Sequence, residues 1–487
     1  MALPSSKSFD NKLSLESRCR KTSLLETLNQ HFDNEKIIFF GSGLPSPDLF
    51  PWKELKSKFY SKSVLNTSKP EAAIDDWATK TNSNPFVEVH SDAKALSAGL
   101  QYGNAGGRGD FLEFVKEHVK LFHELNYSDW GVAATAGTTQ AWETILRIFC
   151  DRGDSILAET FSYPPSLSTA QSQGVHIHPV PMDENGVIPQ KLQHMLENWQ
   201  HQRKLPKLFY IIPTGQNPTG STLSNERRKA IYKIAEEYDI LIVEDEPYYF
   251  LQMESYIKAK SNRKRHDQLM SEYKRSLKKS FLSLDVSGRV IRLDSLSKIL
   301  APACRLGWIV ASEKILLHYL NLQAVSIQAP SGFSQMMVLE LFKRWGQDGY
   351  ARWLMQLSGI YRNSRDVVCD ALIERLPSGN FVQFTAPTAG MFFTIHINLS
   401  YLPHFDPELG AKTYEDRLYN KFLEDGVLLV PGSWFTCSPD VLYEEKKDTF
   451  QSCQIFFRGS FATVSFHQLE EGAKRIGDCL GKMLNTA

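Results

Sequence analysis

Short apolar runs alternate with helical segments between Gly99 and Ala311, and this alternation limits the folds open to the chain. Runs of this kind are typical of strands that are buried on both faces of a sheet. Strands separated by helices favour a mostly parallel sheet with helices packed against it. The clearest runs cover residues 130–134, 155–158, 208–212 and 240–243.

Helical periodicity marks the segments between these runs. Residues 138–150 carry apolar side chains at the i, i+3, i+4, i+7 spacing of one helix face, namely Trp142, Ile145, Leu146 and Phe149. A second helix is predicted to begin at Ser224, a residue type that favours helix N-termini. Both helices are expected to pack on the predicted sheet.

The chain has 487 residues, which is long enough for more than one domain. Beyond about Gln328 a long helical region leads to predicted strands near 391–397 and 455–457, and then to a last helix opened by Ser465 and Gln468. We therefore predict an α/β protein with a large domain at 96–350 and a smaller α/β domain at 351–487. Residues 1–95 are assigned to an N-terminal arm and part of the small domain.

Composition argues against several classes of partner. The chain has 55 lysines and arginines and 55 aspartates and glutamates. This balanced charge does not point to nucleic acid or an acidic membrane as a binding partner. No apolar run approaches the ~20 residues of a membrane span. Seven cysteines without a Cys-x-x-Cys pair favour a reducing compartment. The N-terminus lacks the apolar core of a secretory signal. These features predict a cytoplasmic protein with small-molecule partners and no metal site.

Two stretches look like binding motifs and are assigned no chemistry. Gly41 and Gly43 follow an apolar run, but the third glycine of a dinucleotide fingerprint is missing and Pro45 and Pro47 replace the helix start. The sequence therefore disfavours NAD or FAD. The lysine- and arginine-rich stretch 258–265 is typical of a solvated surface loop.

One loop between two strand-like runs concentrates a lysine, two hydroxyls and an arginine. A lysine amine such as that of Lys298 can form an imine with an aldehyde. Ser295, Ser297 and Arg305 can hold a phosphate through charge-assisted hydrogen bonds. Pyridoxal 5′-phosphate (PLP) carries both groups. The loop follows the run 290–294, at a strand end, which is where open α/β sheets bind ligands.

Other polar side chains also follow predicted strands. Thr138 and Thr139 lie between a strand and a helix, where backbone N–H groups and the helix dipole favour an anion. Asp245 ends the run that begins at residue 240, and a carboxylate there can keep a pyridine nitrogen protonated. Structural capping is the alternative explanation for the two threonines.

Three further residues suit the ring of the same cofactor. Tyr248 and Asn217 can bond the ring hydroxyl, and Tyr163 offers a flat face for the ring. Taken singly, each is more often a core or turn residue than a ligand. A single parallel sheet, however, would bring Thr138 and Asp245 to the same edge as Asn217 and Lys298.

The ordered set of these motifs resembles the fold-type I PLP-dependent aminotransferases, and the likeness extends from Gly41 to the C-terminal helix. It rests on residues 217–220, on Asp245 with Tyr248, and on the segment 295–305. Within that superfamily, residues 41–51, 100–103 and 427–432 are most similar to fungal aromatic amino acid and 2-aminoadipate aminotransferases and to kynurenine aminotransferases.

The resemblance implies roles for further residues. Tyr102 would reach the cofactor phosphate of a neighbouring subunit, which implies an obligate homodimer with shared active sites. Arg458 would bind the α-carboxylate of the substrate together with Asn217, and a planar guanidinium suits that bidentate task. The arm that contains Gly43 would cover the substrate. A surface ion pair is the alternative interpretation of Arg458.

The resemblance also suggests the reaction. Lys298 would act as general base in a ping-pong transfer of an amino group to a 2-oxo acid such as 2-oxoglutarate or phenylpyruvate, with Asp245 and Tyr248 assisting. Related enzymes often carry a basic residue near the N-terminus that meets a distal carboxylate, whereas this chain has Glu26 in the nearest match. We therefore predict aromatic donors: phenylalanine, tyrosine and tryptophan.

Several alternatives remain open at this stage. The amino donor could instead be 2-aminoadipate or kynurenine, since the sequence does not rank them. The same scaffold and lysine also serve PLP-dependent β-lyases and decarboxylases. A non-catalytic PLP-sensing regulator is disfavoured because the residues before Tyr102 show neither helical periodicity nor a sustained basic face, as a DNA-binding domain would require.

Overall fold

A computed structural model describes residues 3–22, 36, 43–60, 86–91, 93–199, 204–263, 269–437 and 453–485. Its strands, in chain order, are β1 Leu55–Tyr60, β2 Phe86–Ser91, β3 Trp130–Thr135, β4 Ser155–Glu159, β5 His176–Val180, β6 Met182–Asp183, β7 Gly186–Val187, β8 Leu208–Ile211, β9 Leu241–Asp245, β10 Val290–Ser295, β11 Gly307–Ser312, β12 Val382–Phe384, β13 Phe392–Asn398, β14 Val430–Pro431 and β15 Gln454–Ser460.

The described residues also form α-helices. They are α1 Leu15–Cys19, α2 Ala93–Leu100, α3 Gly109–Phe122, α4 Thr138–Phe149, α5 Pro164–Ser172, α6 Pro189–Glu197, α7 Asn225–Glu237, α8 Met270–Ser276, α9 Glu313–Gln323, α10 Gly332–Arg375, α11 Gly410–Glu424 and α12 Phe466–Asn485. Ser224 caps α7 by accepting a hydrogen bond from the Arg227 N–H, and Ser465 and Gln468 bond reciprocally at the start of α12. These helix starts were predicted, and the structure confirms them.

A seven-stranded sheet forms the large part of the molecule, in the order β3-β11-β10-β9-β8-β4-β5. All neighbouring pairs are parallel except the two made by β11, which runs antiparallel to β10 and β3. Every residue of β4, β8, β9, β10 and β11 is buried, as expected for strands covered on both faces. The predicted mostly parallel sheet is confirmed.

A second, four-stranded sheet lies in the C-terminal part, in the order β12-β13-β15-β14, and all its pairs are antiparallel. Its apolar face packs with α11 and α12 in a second cluster of buried side chains, which includes Ile395, Phe457 and Leu418. The α/β class with a smaller C-terminal unit is therefore confirmed.

One long helix, α10, joins the two clusters of buried side chains. Its first half contributes Phe342 and Leu354 to the cluster around the large sheet, and its second half contributes Val368 and Leu372 to the C-terminal cluster. The helix is kinked at Gly346, which has φ of 62°. The domain limits at residues 95 and 350 stay a prediction.

Two glycines bring the halves of the molecule into backbone contact. A Cβ added to Gly390, which precedes β13, would lie 2.9 Å from the carbonyl oxygen of Gly215. Gly215 precedes the turn that carries Asn217, and both glycines have positive φ. Only glycine combines this conformation with so close an approach. The seam places the C-terminal sheet against the turn.

The N-terminal hundred residues contain more regular structure than the sequence suggested. Strands β1 and β2 form an antiparallel pair, and α2 follows directly. Periodicity missed β1 because Lys56, Ser57 and Lys58 make it largely polar. Gly41, Glu26 and about half of residues 1–95 lie outside the described residues.

The basic stretch 258–265 is described as far as Arg263. Lys258 and Lys260 are exposed, in agreement with a surface loop. Arg263 instead bonds Asp370 on α10 at 2.9 Å and stacks over Tyr256, so this end of the insertion is tied to the long helix. Among the described helices, none is long and apolar enough to cross a membrane.

Candidate active site

The large sheet brings the predicted site residues to one edge. Strands β3, β8, β9 and β10 all run in the same direction, so their carboxyl ends meet. Thr138 follows β3, Asn217 follows β8, Asp245 ends β9 and Lys298 follows β10. The location matches the edge where open α/β sheets bind ligands.

Arg305 organises a polar cradle between the β10 loop and the first turn of α4. Its guanidinium donates to the Ser297 hydroxyl at 3.3 Å and to the carbonyl oxygen of Ala136 at 3.1 Å. Ser295 donates in turn to Ser297 at 3.0 Å. A cation and two hydroxyls therefore converge beside a helix N-terminus, an arrangement that suits an anion.

Gly137 lets the arginine approach that closely. It is the N-cap of α4 with φ of 92°, and a Cβ placed there would lie 2.3 Å from a guanidinium nitrogen of Arg305. Thr138, the first residue of the helix, is partly buried, whereas Thr139 is exposed. Because the N-cap carries no side chain, the first N–H groups of α4 receive no side-chain cap.

Asp245 is buried and has one free oxygen. Its Oδ2 accepts a hydrogen bond of 2.6 Å from the Tyr210 phenol. Its Oδ1 has no hydrogen-bond partner within the described part of the chain. Burial raises the pKa of Asp245 to about 6, against the lowering effect of the Tyr210 and Thr138 hydroxyls. A buried carboxylate with one open oxygen fits a ring N–H donor.

Lys298 lies half-buried between two cationic side chains. Burial lowers the pKa of its amine, and the positive charges of Arg305 and Arg458 lower it further. The neutral amine, which is the form that reacts with carbonyls and accepts protons, is therefore favoured relative to a solvated lysine.

Two tyrosines line the space around Asp245. Burial raises the pKa of both Tyr163 and Tyr248, and the negative charge of Asp245 raises each further, so both phenols stay protonated. Tyr248 is almost fully buried and contacts Phe392 edge-on, with ring centroids 5.7 Å apart. Tyr163 is partly buried and is the N-cap of α5.

Arg458 is held by an amide and two aromatic rings. Its guanidinium donates to Asn217 Oδ1 at 2.8 Å and stacks over Phe392 at 4.4 Å and Phe435 at 4.7 Å. Its Nε is buried without a partner among the residues that the structure describes. The arginine is thus oriented with donor capacity left over, which is what recognition of a carboxylate requires.

The turn that carries Asn217 is fixed by residues that sequence analysis missed. The Gln216 amide donates to Glu159 Oε2 at 3.2 Å and to the carbonyl oxygen of Phe161 at 2.6 Å. Its carbonyl oxygen accepts from the Thr219 backbone N–H at 2.9 Å. Burial raises the pKa of Glu159 to about 8. Glu159 and Phe161 lie 57 and 55 residues before Gln216 in the chain, so these contacts leave no local sequence signal.

Two predicted contacts lie apart from this cluster. Tyr102 is 65% exposed at the surface of the chain. Gly43 is also exposed, and a Cβ added to it would meet nothing within 4 Å. The structure of a single chain brings neither residue into the site.

The arrangement matches a known enzyme family. A model of aminotransferase class I and II matches residues 66–476, which covers most of the chain. This chain belongs to that family. In this aminotransferase, Lys298 and buried Asp245 lie at one edge of the large sheet, and Arg458 lies on β15 of the C-terminal sheet.

Curated relatives and a solved structure agree with this assignment. An aromatic amino acid aminotransferase of Schizosaccharomyces pombe is 36% identical over 97% of this chain and 98% of its own length. An L-tyrosine:2-oxoglutarate aminotransferase of Serpula lacrymans is 32% identical over 88% of this chain and 83% of its own. The crystal structure of aminotransferase Aro8 from Candida albicans has a TM-score of 0.90 at 39% identity, covering 99% of this chain and 100% of the other.

Proposed function

We propose that this aminotransferase uses PLP to transfer the amino group of an aromatic amino acid to a 2-oxo acid such as 2-oxoglutarate or phenylpyruvate. The observation that carries the proposal is the orphaned Oδ1 of buried Asp245 in a site that also holds Lys298. Two relatives, an aromatic amino acid aminotransferase and an L-tyrosine:2-oxoglutarate aminotransferase, support the substrate class.

The site residues suit each part of the cofactor. Ser295, Ser297 and Arg305, with the first turn of α4 at Thr138 and Thr139, would hold the phosphate of the cofactor. When bound, PLP supplies an aldehyde for a lysine amine and a ring that accepts electrons from the substrate Cα.

The other side of the ring has its own partners. Asp245 would bond the ring nitrogen through Oδ1, Tyr163 would pack against the ring face, and Tyr248 and Asn217 would bond the ring hydroxyl. Because burial keeps Tyr248 protonated, its phenol is a donor at neutral pH.

Lys298 is the group that moves the proton. Burial and two nearby cations lower the pKa of its amine, which favours the neutral form that can take the proton from the substrate Cα. Arg458, oriented by Asn217 and two aromatic rings, binds the α-carboxylate and so presents the Cα bond to that amine.

The exposure of Tyr102 supports a dimer with shared sites. The Tyr102 side chain is 65% exposed, so it is free to contact a neighbouring subunit. We propose that Tyr102 reaches the phosphate cradle of a second copy and that the Gly43 segment covers the substrate. Because no disulfide joins the cysteines of the described residues, a cytoplasmic location is also proposed.

An absorbance spectrum recorded before and after addition of phenylalanine, with no oxo acid present, tests the cofactor and the half-reaction together. We expect a visible or near-ultraviolet cofactor band that gives way to the amino form while phenylpyruvate appears. Lys298→Ala should bind PLP but show no turnover. A protein that stays colourless after incubation with PLP would overturn the proposal, and a donor series led by 2-aminoadipate would overturn the aromatic preference.

A further inference from the structure

Tyr210 connects the catalytic edge of the sheet to a helix behind it. It lies on β8, fully buried, and its ring packs against Trp142 with centroids 4.6 Å apart. Its phenol lies 2.6 Å from Asp245 Oδ2 and 3.0 Å from the Ser166 hydroxyl on α5. The indole of Trp142 donates to the carbonyl oxygen of Ser166 at 3.0 Å, which secures that end.

The direction of the chain of hydrogen bonds follows from donor counting. A carboxylate accepts only, so Tyr210 must donate its one proton to Asp245. The phenol oxygen is then an acceptor, and Ser166 donates to it. One oxygen of Asp245 is therefore committed to Tyr210, and the other is left without a partner among the described side chains.

The other groups around Asp245 favour its ionised form less strongly than the Tyr210 hydrogen bond does. Asp294 on β10 adds negative charge, although Arg292 bonds it at 2.8 Å. Tyr163 and Tyr248 face the aspartate as protonated phenols, and the Thr138 hydroxyl lowers its pKa. Burial opposes the charge most of all. The short bond from Tyr210 is thus a main stabiliser of the carboxylate.

We propose that Tyr210, supported by Ser166, is a positioning residue that keeps Asp245 ionised and directs its free oxygen toward the ring nitrogen of the cofactor. The inference rests on the proposed PLP function. Loss of the phenol would remove the donor to Oδ2, so buried Asp245 would protonate at higher pH and stop pairing with the ring nitrogen.

The test measures PLP binding to the apoprotein as a function of pH, by quenching of tryptophan fluorescence, for wild type, Tyr210→Phe and Ser166→Ala. We expect Tyr210→Phe to bind PLP about tenfold to a hundredfold more weakly near neutral pH, as expected for loss of a hydrogen bond to a charged group. The acid limb of its binding profile should move up by about one pH unit or more. Ser166→Ala should move it in the same direction by less.

Tyr232→Phe is the matched control. Tyr232 is also buried, and its phenol donates to Asp285 at 3.0 Å and contacts a serine, Ser287, at 3.3 Å. Its loss should lower the denaturation midpoint but leave the pH profile of PLP binding unchanged.

Three outcomes separate the two proposals. If wild type does not bind PLP at any pH, the proposed function fails. If wild type binds PLP and Tyr210→Phe binds with the same affinity and the same acid limb, the role of Tyr210 is refuted. If Tyr210→Phe does not fold, Ser166→Ala decides the question. The role of Tyr210 is then refuted if the acid limb of PLP binding is the same in Ser166→Ala as in wild type.

Discussion

At the scale of single residues, the site depends on charged groups held in partly dehydrated surroundings. Arg458 shows how the chain tolerates this. Burial lowers the pKa of its guanidinium, yet the faces of Phe392 and Phe435 and the oxygen of Asn217 replace part of its hydration. Arginine suits such a place because its weakly hydrated plane stacks on rings and still presents several donors.

Arg458→Lys should therefore weaken substrate binding and also slow the chemical step, because the Cα bond would be less well oriented. An ammonium cannot stack on both rings, bond Asn217 and bind a carboxylate bidentately, so we expect KM to rise about tenfold to a hundredfold and kcat to fall by a smaller factor. Steady-state kinetics with phenylalanine measures both. Arg417→Lys, which alters an exposed arginine stacked on Tyr414, is the control and should leave KM unchanged. An unchanged KM in Arg458→Lys would contradict the assignment.

Glu159 predicts a pH dependence of stability. Burial raises its pKa from 4.5 to about 8 in the folded chain, so the folded state keeps a proton that the unfolded state has lost. Stability should fall as pH rises from about 4.5 to about 8, by no more than about 5 kcal/mol from this group, and should then level off. Glu159→Gln should flatten that fall, as measured by urea unfolding of the apoprotein at several pH values. If the free energy of unfolding falls equally steeply with pH in wild type and in Glu159→Gln, the pKa of Glu159 is not raised in the folded chain.

At the scale of elements, the anion cradle depends on how α4 begins. Gly137 adopts a positive φ that turns the chain from β3 into the helix, and its missing side chain makes room for Arg305. Arg305 itself lies in the left-handed region with φ of 45° after a short 3-10 turn. Two tight turns thus place one guanidinium across the end of a helix.

Gly137→Ala should lower PLP affinity, because the new methyl group would displace Arg305. Gly153→Ala is the matched control, since Gly153 has φ of 89° but nothing within 4 Å of its Cβ. Both variants should lose about 1 kcal/mol or more of stability from backbone strain. Only Gly137→Ala should also lose PLP affinity in a fluorescence titration, by about tenfold. Equal affinities in the two variants would show that Arg305 does not hold the phosphate.

At the scale of the whole molecule, the site is formed by residues of both the large sheet and the C-terminal sheet. Lys298, Asp245 and Asn217 belong to the large sheet, whereas Arg458 belongs to β15 of the C-terminal sheet. The seam at Gly215 and Gly390 and the continuous helix α10 keep the two units in contact. Relative movement of the two units would therefore change the distance between the Lys298 amine and the Arg458 guanidinium.

The proposed shared site predicts complementation between two inactive variants. Lys298→Ala lacks the base, and Tyr102→Ala lacks the residue assigned to the partner's phosphate. In a mixed dimer one site receives both defects and the other receives none, so coexpression should restore a substantial fraction of wild-type activity. Giving each variant its own affinity tag allows the mixed dimers to be isolated and their aminotransferase activity to be measured. Failure to recover activity from isolated mixed dimers would argue against a contribution of Tyr102 to the neighbouring site.

Much of the fold could be predicted because its signals are local. The runs at 208–212 and 240–243 became β8 and β9, and Ser224 capped the predicted helix, since strand length and capping chemistry depend on adjacent residues. Strand β1 was missed because a polar edge pair has no apolar period. The roles of the candidate site residues stay predictions until tested.

The sequence by itself determined the alternation of strands and helices and the positions of Lys298 and Asp245 at strand ends, because spacing along the chain sets both. Only the tertiary structure decided which side chains meet there. Arg458 bonds Asn217 across 241 residues, and Tyr210 bonds Asp245 across 35. Such partners are chosen by how strands and the two units pack, and packing arises from contacts distant in the chain, which leave no local pattern.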